Sequence, residues 1–404
     1  MKPKVSVIMP IYNGAEFLSK AIDSVLNQTL KDIELLIDTT GSSDGATDIA
    51  ENYSKKDKRI RHEKNSGSHY IANKLNHLTN LAKAPYIARM DGDDIALPNR
   101  LSEQLAFLEK NSNIAALGCH FICIDRDGNN LPQHPFDYPA DSEALRQKCD
   151  NGLFPIHHPT MMIRTDVLKK IGGYRENITF EDLDLYLRLH RANYLFSNLP
   201  VVLLHYRFLP DSTSNNPTTA YIYQLQQKVL YLAHRRIVAG DADPLANMKD
   251  QDINFDTIKH LSKDINEVIS IYVYLLNFII KSILRYCITH YPQVADWHNS
   301  VKKPDNESNF MLRNEVAYLL EQIINLCPDD DSKTRVIDAL AGMQGEFPVM
   351  PIYVFNLFFQ VYMSFPHLSN KIDSNKKQHI FNMMNQLGLQ NEQTELTQKW
   401  SSAG

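Results

Sequence analysis

The amino-terminal part of the chain alternates short apolar runs with amphipathic segments. Residues 5–10 and 33–37 consist mainly of aliphatic side chains and end at a proline or a polar loop, which is typical of buried parallel strands. Apolar positions at helical spacing predict a helix over residues 17–26, and a second helix is expected from about Thr47. This order of strands and helices predicts an α/β fold whose parallel sheet is covered by helices on both faces.

Three polar loops follow predicted strands. They are residues 10–14, residues 38–45 and residues 91–94, the last after an apolar run that begins at Tyr86. In open α/β sheets ligands bind beyond the carboxyl ends of the strands. The third loop has three carboxylates within four residues, which fits either a solvated turn or a site for Mg²⁺ or Mn²⁺. The convergence of the loops favours the metal site.

Composition limits the class of protein. At 404 residues the chain is longer than one core usually serves, so two domains are expected. A hydrophobic fraction of 43% is typical of a globular protein, and a net charge of −5 provides no general attraction to nucleic acid. Five cysteines without a CxxC pair indicate neither a disulfide framework nor a zinc ribbon, which favours a reducing, cytoplasmic location. The first residues do not have the pattern of a signal peptide.

The second half has a different pattern. After a polar linker at residues 215–219 the chain is helical in character, which predicts an all-α domain over residues 219–404 with a polar tail from about residue 391. Residues 267–284 place their polar positions on one helix face, so a packed amphipathic helix is favoured over a membrane span. The aromatic segment 351–365 is interpreted as core of this domain. The alternatives are docking on the inner face of a membrane and contact with a second copy of the chain.

An ordered series of motifs runs through the first 215 residues. The motifs occupy residues 5–14, the loop after Ile37, residues 65–73, 86–94, 157–164, 171–175 and 180–189, and Tyr206-Arg207 with Ser212 and Ser214. In this order they resemble the motifs of the family 2 glycosyltransferases. The resemblance implies a GT-A domain over residues 1–218, with a Rossmann-like, mostly parallel sheet. It also implies transfer of a sugar, with inversion, from a nucleotide diphosphate donor.

The first acidic motif, Asp91-Gly92-Asp93, matches the family's DxD motif. The resemblance implies that all three residues contact the nucleotide sugar, that Asp93 binds Mg²⁺ or Mn²⁺, and that Asp91 lies near the ribose and the metal. The cation would act as a Lewis acid and stabilise the charge that grows on the departing nucleotide. Asp94 is either a further ligand or a partner of the ligands.

The second acidic motif, Glu181-Asp182, matches the family's ED motif. The resemblance implies that Asp182 is the catalytic general base, which takes the proton from the acceptor hydroxyl. Glu181 would lie beside it, and both residues would also suit the start of a helix. His157 and His158 begin the segment that resembles the acceptor-side loop. For this pair, one packed histidine and one lining the cleft are favoured over a metal site.

The nucleotide-binding loops show one departure from the family. Pro10 and Tyr12 match positions that contact the nucleobase. The family usually has two aspartates before Gly-Ser, but Thr39 and Thr40 occupy these positions here, and the nearest carboxylate is Asp38. Either Asp38 keeps the contact with the base, or a threonine hydroxyl replaces it. A UDP-sugar is the expected donor.

Two arginines flank the first acidic motif. Arg100 is expected to be structural. Arg89 either neutralises the carboxylates or binds a phosphate, since guanidinium groups do both. Leu209 stands where relatives often carry histidine, so no histidine is assigned as a metal ligand.

The predicted function is metal-dependent transfer of a hexose or an N-acetylhexosamine to a hydroxyl of a glycan or glycolipid acceptor. By family analogy the acceptor belongs to bacterial surface polysaccharide or lipopolysaccharide synthesis. One alternative is a non-catalytic nucleotide- or glycan-binding module on the same fold, which only Thr39 and Thr40 support. Another is a nucleotidyltransferase, which the absence of lysine and arginine from residues 10–14 opposes.

Overall fold

The computed structural model describes residues 2–275 and Thr394, apart from 65–66, 69, 132–137, 177, 210–216, 247, 249–252, 266 and 273. For residues 217–222 and 255 it describes the backbone alone. The expectations for residues 276–284, for the aromatic segment 351–365 and, apart from Thr394, for the polar tail therefore lie outside the described residues.

A mixed sheet forms the centre of the fold, and eight strands of it lie in the described residues. They are β1 (Val5–Pro10), β2 (Ile33–Asp38), β3 (Ile60–Glu63), β4 (Tyr86–Arg89), β5 (Ile95–Ala96), β6 (Ile114–Ile124), β7 (Met162–Arg164) and β8 (Leu195–Arg207). Their order in the sheet is β3-β2-β1-β4-β7-β6-β8-β5. The first four of that order are parallel, whereas β7 runs antiparallel to both β4 and β6.

Helices follow most strands. They are α1 (Ala15–Leu26), α2 (Ala46–Lys56), α3 (Ile71–Leu81), α4 (Arg100–Lys110), α5 (Ser142–Asp150), α6 (Thr165–Lys170), α7 (Glu181–Arg191), α8 (Pro217–Val238) and α9 (Phe255–Leu261), with a 3₁₀ turn at His158–Thr160. The α/β fold predicted from the alternating pattern is confirmed. Within the described part of the chain, every helix is too short or too polar to cross a membrane.

The register of the parallel strands places three of their carboxyl ends at one edge of the sheet. Pro10 pairs with Asp38 and Ile8 pairs with Arg89, so β1, β2 and β4 end close to one another. All six residues of β1 are buried, which shows that both faces of the sheet are covered at its centre. The loops after these strands are thereby held side by side on a rigid support.

The chain divides into two compact units. One consists of Met1–Ser212 together with Gln226–Leu261, and the other consists of Thr213–Leu225 together with Ser262–Gly404. The carboxyl-terminal part of α8 and all of α9 therefore belong to the unit that contains the sheet. The predicted boundary at residue 218 and the all-α character of residues 219–404 remain predictions.

Candidate active site

Three carboxylates follow β4 directly. Asp91, Asp93 and Asp94 each offer an oxygen, and these oxygens lie within 4.8 Å of one another, a spacing that suits a divalent cation. Gly92 is fixed by packing, because a methyl group at its Cβ position would overlap the Ile11 side chain. Alanine at position 92 would therefore require the buried Ile11 side chain to move.

Asp94 is the most deeply buried of these carboxylates. Its Oδ1 accepts a hydrogen bond from the backbone N–H of Arg207 at 2.8 Å, whereas no described residue hydrogen-bonds its Oδ2. Burial, followed by the negative charges of Asp91 and Asp93, raises the pKa of Asp94 well above its ordinary value. A buried carboxylate oxygen without a partner is what a cation would satisfy, so this group fits a metal site.

Arg207 anchors the acidic loop to the end of β8. Its Nε donates to the backbone carbonyl of Asp93 at 2.8 Å, and its guanidinium lies 4.4 Å from the centre of the Phe17 ring. Burial and the charge of Asp91 raise the pKa of Asp93 to about 6. Arg207 therefore holds Asp94 through its own backbone N–H and Asp93 through the backbone carbonyl of that residue. The Asp93 carboxylate is left for other partners.

Arg89 compensates the negative charge of the site. It is buried and forms an ion pair with Asp91. Burial alone would lower its pKa, but the charges of Asp91 and Asp94 raise the pKa of Arg89 above its ordinary value. The buried position and the ion pair favour neutralisation of the carboxylates as its role.

Arg100 supports β4 through a contact with its last residue. Its side chain is only 1% exposed, and its Nη2 donates to the backbone carbonyl of Arg89 at 2.7 Å. Its Nε donates to the side chain of Gln104. The structural role expected for Arg100 is confirmed.

The second acidic motif lies in the first turn of α7. The Asp182 side chain is 20% exposed, and its Oδ1 accepts the N–H of Leu183 at 2.8 Å. Burial raises the pKa of Asp182 to about 6, against the opposing effects of the Leu183 N–H and the Arg89 charge. Burial and the neighbouring Asp182 raise the pKa of Glu181 well above its ordinary value.

Arg89 lies close to both acidic motifs. Its charge lowers the pKa of Asp93 and Asp94, and also the pKa of Glu181 and Asp182. Asp91 in turn raises the pKa of Asp182. Because such effects weaken steeply with distance, carboxylates about 90 positions apart in sequence share one electrostatic site.

The two histidines occupy different environments. His158 is buried, with its Nε2 3.0 Å from the Tyr174 hydroxyl and its Nδ1 4.0 Å from Oδ2 of Asp182. The partly exposed His157 ring stacks on Phe121 at 4.1 Å between centroids. Burial lowers the pKa of His157 to about 3 and that of His158 well below its usual value, so both rings are neutral at pH 7.

The loops after β1 and β2 present some of the expected nucleotide contacts and bury others. Tyr12 is 60% exposed and Pro10 is buried in β1. Asp38 is fully buried, and its Oδ1 accepts hydrogen bonds from the N–H and the hydroxyl of Thr40 at 2.9 and 2.6 Å. Thr39 is buried against His62. Of the five residues expected to contact the nucleotide, Tyr12 and Thr40 are therefore the ones with accessible side chains.

The sequence did not point to Lys74, a residue of α3 that contacts the loop after β1. Its buried ammonium donates to the Ile11 carbonyl and lies 5.5 Å from the centre of the Tyr12 ring. Burial lowers its pKa, while Asp38 opposes this change. The signal in the sequence was the position of Lys74 next to Leu75 on the buried face of α3.

Solved structures similar to this chain include two that contain a nucleotide sugar. Staphylococcus aureus TarS 1–349, in complex with UDP-GlcNAc, is 16% identical with a TM-score of 0.47, and the match covers 90% of this chain and 91% of that one. The mannosyltransferase PcManGT from Pyrobaculum calidifontis, in complex with GDP-Man and Mn²⁺, is 16% identical with a TM-score of 0.45, and covers 79% of this chain and 86% of that one.

Similarity in sequence is more specific. The profile of Glycosyl transferase family 2 matches residues 6–172. EpsE of Bacillus subtilis is 33% identical over 244 residues, which are 58% of this chain and 83% of EpsE. The O-antigen biosynthesis glycosyltransferase WbnJ of Escherichia coli is 31% identical over 223 residues, which are 54% of this chain and 84% of WbnJ. These matches confirm the resemblance and the GT-A fold class it implied for the amino-terminal part, and the chain belongs to glycosyltransferase family 2.

Proposed function

We propose that this glycosyltransferase transfers a hexose or an N-acetylhexosamine, with inversion and with the help of a divalent cation, from a nucleotide diphosphate sugar to a glycan hydroxyl. The observation that carries this proposal is that one arginine, Arg89, lies close both to the carboxylates that follow β4 and to those that begin α7. One group suits a metal-bound diphosphate, and the other suits a base acting on the acceptor. Inverting displacement needs both, on opposite sides of the reacting carbon.

On the donor side, Asp91 and Asp93 would hold Mg²⁺ or Mn²⁺. No described residue hydrogen-bonds Oδ2 of Asp94, which supports this assignment and makes Asp94 a further candidate ligand. The bound cation would supply Lewis acidity to the leaving diphosphate. Arg89 balances part of the negative charge of these carboxylates, which reduces the repulsion between them before the cation binds.

On the acceptor side, Asp182 would be the general base. A pKa of about 6 leaves its carboxylate mostly ionised at neutral pH and makes it a stronger base than an ordinary aspartate. The Leu183 N–H fixes one carboxylate oxygen, so the other is available to accept the proton of the attacking hydroxyl. The Nδ1 atom of the neutral His158 lies 4.0 Å from Oδ2 of Asp182 and adds no positive charge that would lower the basicity of Asp182.

The nucleotide would bind along the loops after β1 and β2, where Tyr12 and Thr40 would contact the base and ribose and the buried Pro10, Asp38 and Thr39 would hold these loops in place. The exposed Tyr12 ring offers a stacking surface for a base. We propose a UDP-sugar as donor. The acceptor class follows from WbnJ, whose name places it in O-antigen biosynthesis, and a surface polysaccharide is therefore the proposed product.

The test is a transfer assay with a panel of nucleotide sugars, with and without Mn²⁺. Asp182→Asn and Asp93→Asn should each lower turnover by roughly 10²-fold or more. Asp166→Asn is the matched control, because Asp166 is an exposed carboxylate at the opposite edge of the sheet, near the amino end of β1. Turnover close to that of the wild type in both site variants would remove the mechanism.

A further inference from the structure

A buried charged cluster lies two residues beyond the proposed base. At its centre is Asp184, which is fully buried in the first turn of α7. Its Oδ1 accepts from Nε of Arg175 at 3.1 Å and from Nε2 of His234 at 3.1 Å, and its Oδ2 accepts from Nε of Arg188 at 2.7 Å. Asp243 completes the cluster through an ion pair of 2.7 Å with Nη2 of Arg175. These five residues are called the Asp184 cluster below.

The charges of the Asp184 cluster are balanced. Two guanidinium groups face two carboxylates, and His234 is the fifth member. Burial alone would raise the pKa of Asp184, but the hydrogen bond from His234 and the charges of Arg188 and Arg175 hold it well below its usual value. Asp184 is therefore ionised at neutral pH, and three donors hold the orientation of its carboxylate.

His234 contributes one directed hydrogen bond. Because Asp184 is an acceptor, Nε2 of His234 must carry the proton, and its buried Nδ1 has no partner among the described residues. Burial lowers the pKa of His234, with Asp184 opposing and Arg191 and Arg175 adding to the effect. The ring is thus neutral and held in one tautomer, with a single donor aimed at the base-bearing helix.

His234 and Asp243 lie outside the catalytic motifs. His234 belongs to α8, whose carboxyl-terminal part packs with the sheet-containing unit, where Gln227 and Tyr231 donate to the carbonyls of Gly152 and Asp150. The cluster also holds the turn that follows α6, since Arg188 donates to the carbonyls of Ile171 and Gly173. Contacts from α8 and from the segment after α6 therefore meet at Asp184, in the first turn of α7.

The first turn of α7 needs such support. Within the described residues no side chain caps its amino terminus, and Asp182 is oriented by the Leu183 N–H of that same turn. Asp182 and Asp184 share this backbone. A shift of about 1 Å at a reacting group can cost roughly 10²-fold in rate, so the position of the turn matters for catalysis.

We propose that His234 and Asp243 are positioning residues, which hold Asp182 in its reactive orientation through Asp184 and the first turn of α7. This inference rests on the proposed role of Asp182 as the base. It assigns a catalytic task to the segment Gln226–Leu261, which follows the family motifs in the chain. Because His234 and Asp243 act on the base and not on the donor site, the loss of their contacts should lower turnover more than it weakens donor binding.

The experiment compares His234→Leu with His234→Gln in the full chain. Glutamine can place an amide N–H near the position of Nε2, whereas leucine fills the space without a donor. His234→Leu should lower kcat by about 10- to 100-fold with the KM for the donor changed less than about threefold. His234→Gln should keep kcat within about threefold of the wild type. Asp243→Asn, at a partly exposed site, should lower kcat by about three- to tenfold.

Two controls separate positioning from stability. Leu232→Ala shortens a buried side chain of the same helix that is not a member of the Asp184 cluster, and Val238→Gln changes an exposed position at the end of that helix. Both should retain wild-type kcat per folded molecule, even where Leu232→Ala lowers Tm.

Wild-type kcat in both His234→Leu and Asp243→Asn would overturn the positioning role, and so would a His234→Gln variant as slow as His234→Leu. If Asp182→Asn were fully active, the assignment of the base itself would fail, which is a separate result.

Discussion

The backbone N–H of Arg207 donates to Oδ1 of Asp94 at 2.8 Å and joins the end of β8 to the acidic loop after β4. The Arg207 side chain strengthens the same connection through the carbonyls of Asp93, Asp125 and Arg126. Two strands that are distant in sequence thereby determine the positions of the carboxylates. The proposed metal site therefore depends on a residue that offers it no ligand.

Arg207→Met should show this dependence. Methionine fills much of the volume but loses the side-chain hydrogen bonds to the carbonyls, so the free energy of unfolding should fall by about 2–4 kcal/mol. The Kd for Mn²⁺, measured by calorimetry with UDP present, should rise roughly tenfold or more. Arg61→Met is the control, because Arg61 forms an exposed ion pair with Glu63 that contributes less than about 1 kcal/mol. An unchanged Kd in Arg207→Met would contradict the prediction.

Gly92→Ala should destabilise the protein through a clash with Ile11. The added methyl group overlaps Cδ1 of Ile11, and overpacking of this kind costs about 1–3 kcal/mol. Ile11→Val removes that Cδ1 and should by itself cost about 0.5–1.5 kcal/mol. The double variant should be more stable than the sum of the single effects predicts, as a double-mutant cycle in chemical denaturation would measure. Additive effects would show that another contact excludes the methyl group.

Asp182→Asn should stabilise the metal-free protein at neutral pH. The folded pKa of Asp182, about 6, is higher than its ordinary value of 3.8, so folding disfavours the ionised carboxylate. This penalty is absent below pH 4, grows as the pH rises from 4 to 6, and remains above 6 at about 2–3 kcal/mol. Urea titrations with EDTA at pH 4, 6 and 8 should therefore show an advantage for the variant that widens with pH. A constant difference would contradict the raised pKa.

The rate should depend on pH through the same group. With donor and Mn²⁺ saturating, kcat should fall below about pH 6, roughly tenfold for each pH unit, because a protonated Asp182 cannot accept the hydroxyl proton. EDTA should abolish transfer, and added Mn²⁺ or Mg²⁺ should restore it. A flat profile between pH 5 and 8 would contradict a general base with a pKa near 6.

Local patterns determined which parts of the fold could be predicted. The strands at 5–10 and 33–37 were recognised because aliphatic side chains are concentrated in short runs, and β1 and β2 occupy these positions. The long pair β6 and β8 was not predicted, since its register shifts at several points and its partners are about 80 residues apart. The antiparallel β7 between β4 and β6 also has only three residues to signal it.

In the candidate site too, residues in local motifs could be predicted, whereas contacts between distant residues could not. Asp91, Asp93 and Asp182 stand in short motifs that a reader of the sequence can recognise. The contact between Asp184 and His234 joins positions 50 residues apart, and neither residue has a local pattern that indicates the other. The burial of Asp38 beneath Thr40 also depends on the path of the loop, which single residues do not reveal.

The packing of Gly92 against Ile11 also bears on how this acidic loop can change over evolutionary time. The two positions lie on different loops and make no polar contact, yet the bulk allowed at one is set by the bulk at the other. Homologous chains in which position 11 is smaller should accept alanine or serine between the two aspartates, and the two columns of an alignment should covary. Variation in the middle of this motif would then reflect an apolar neighbour and not the sugar that is transferred.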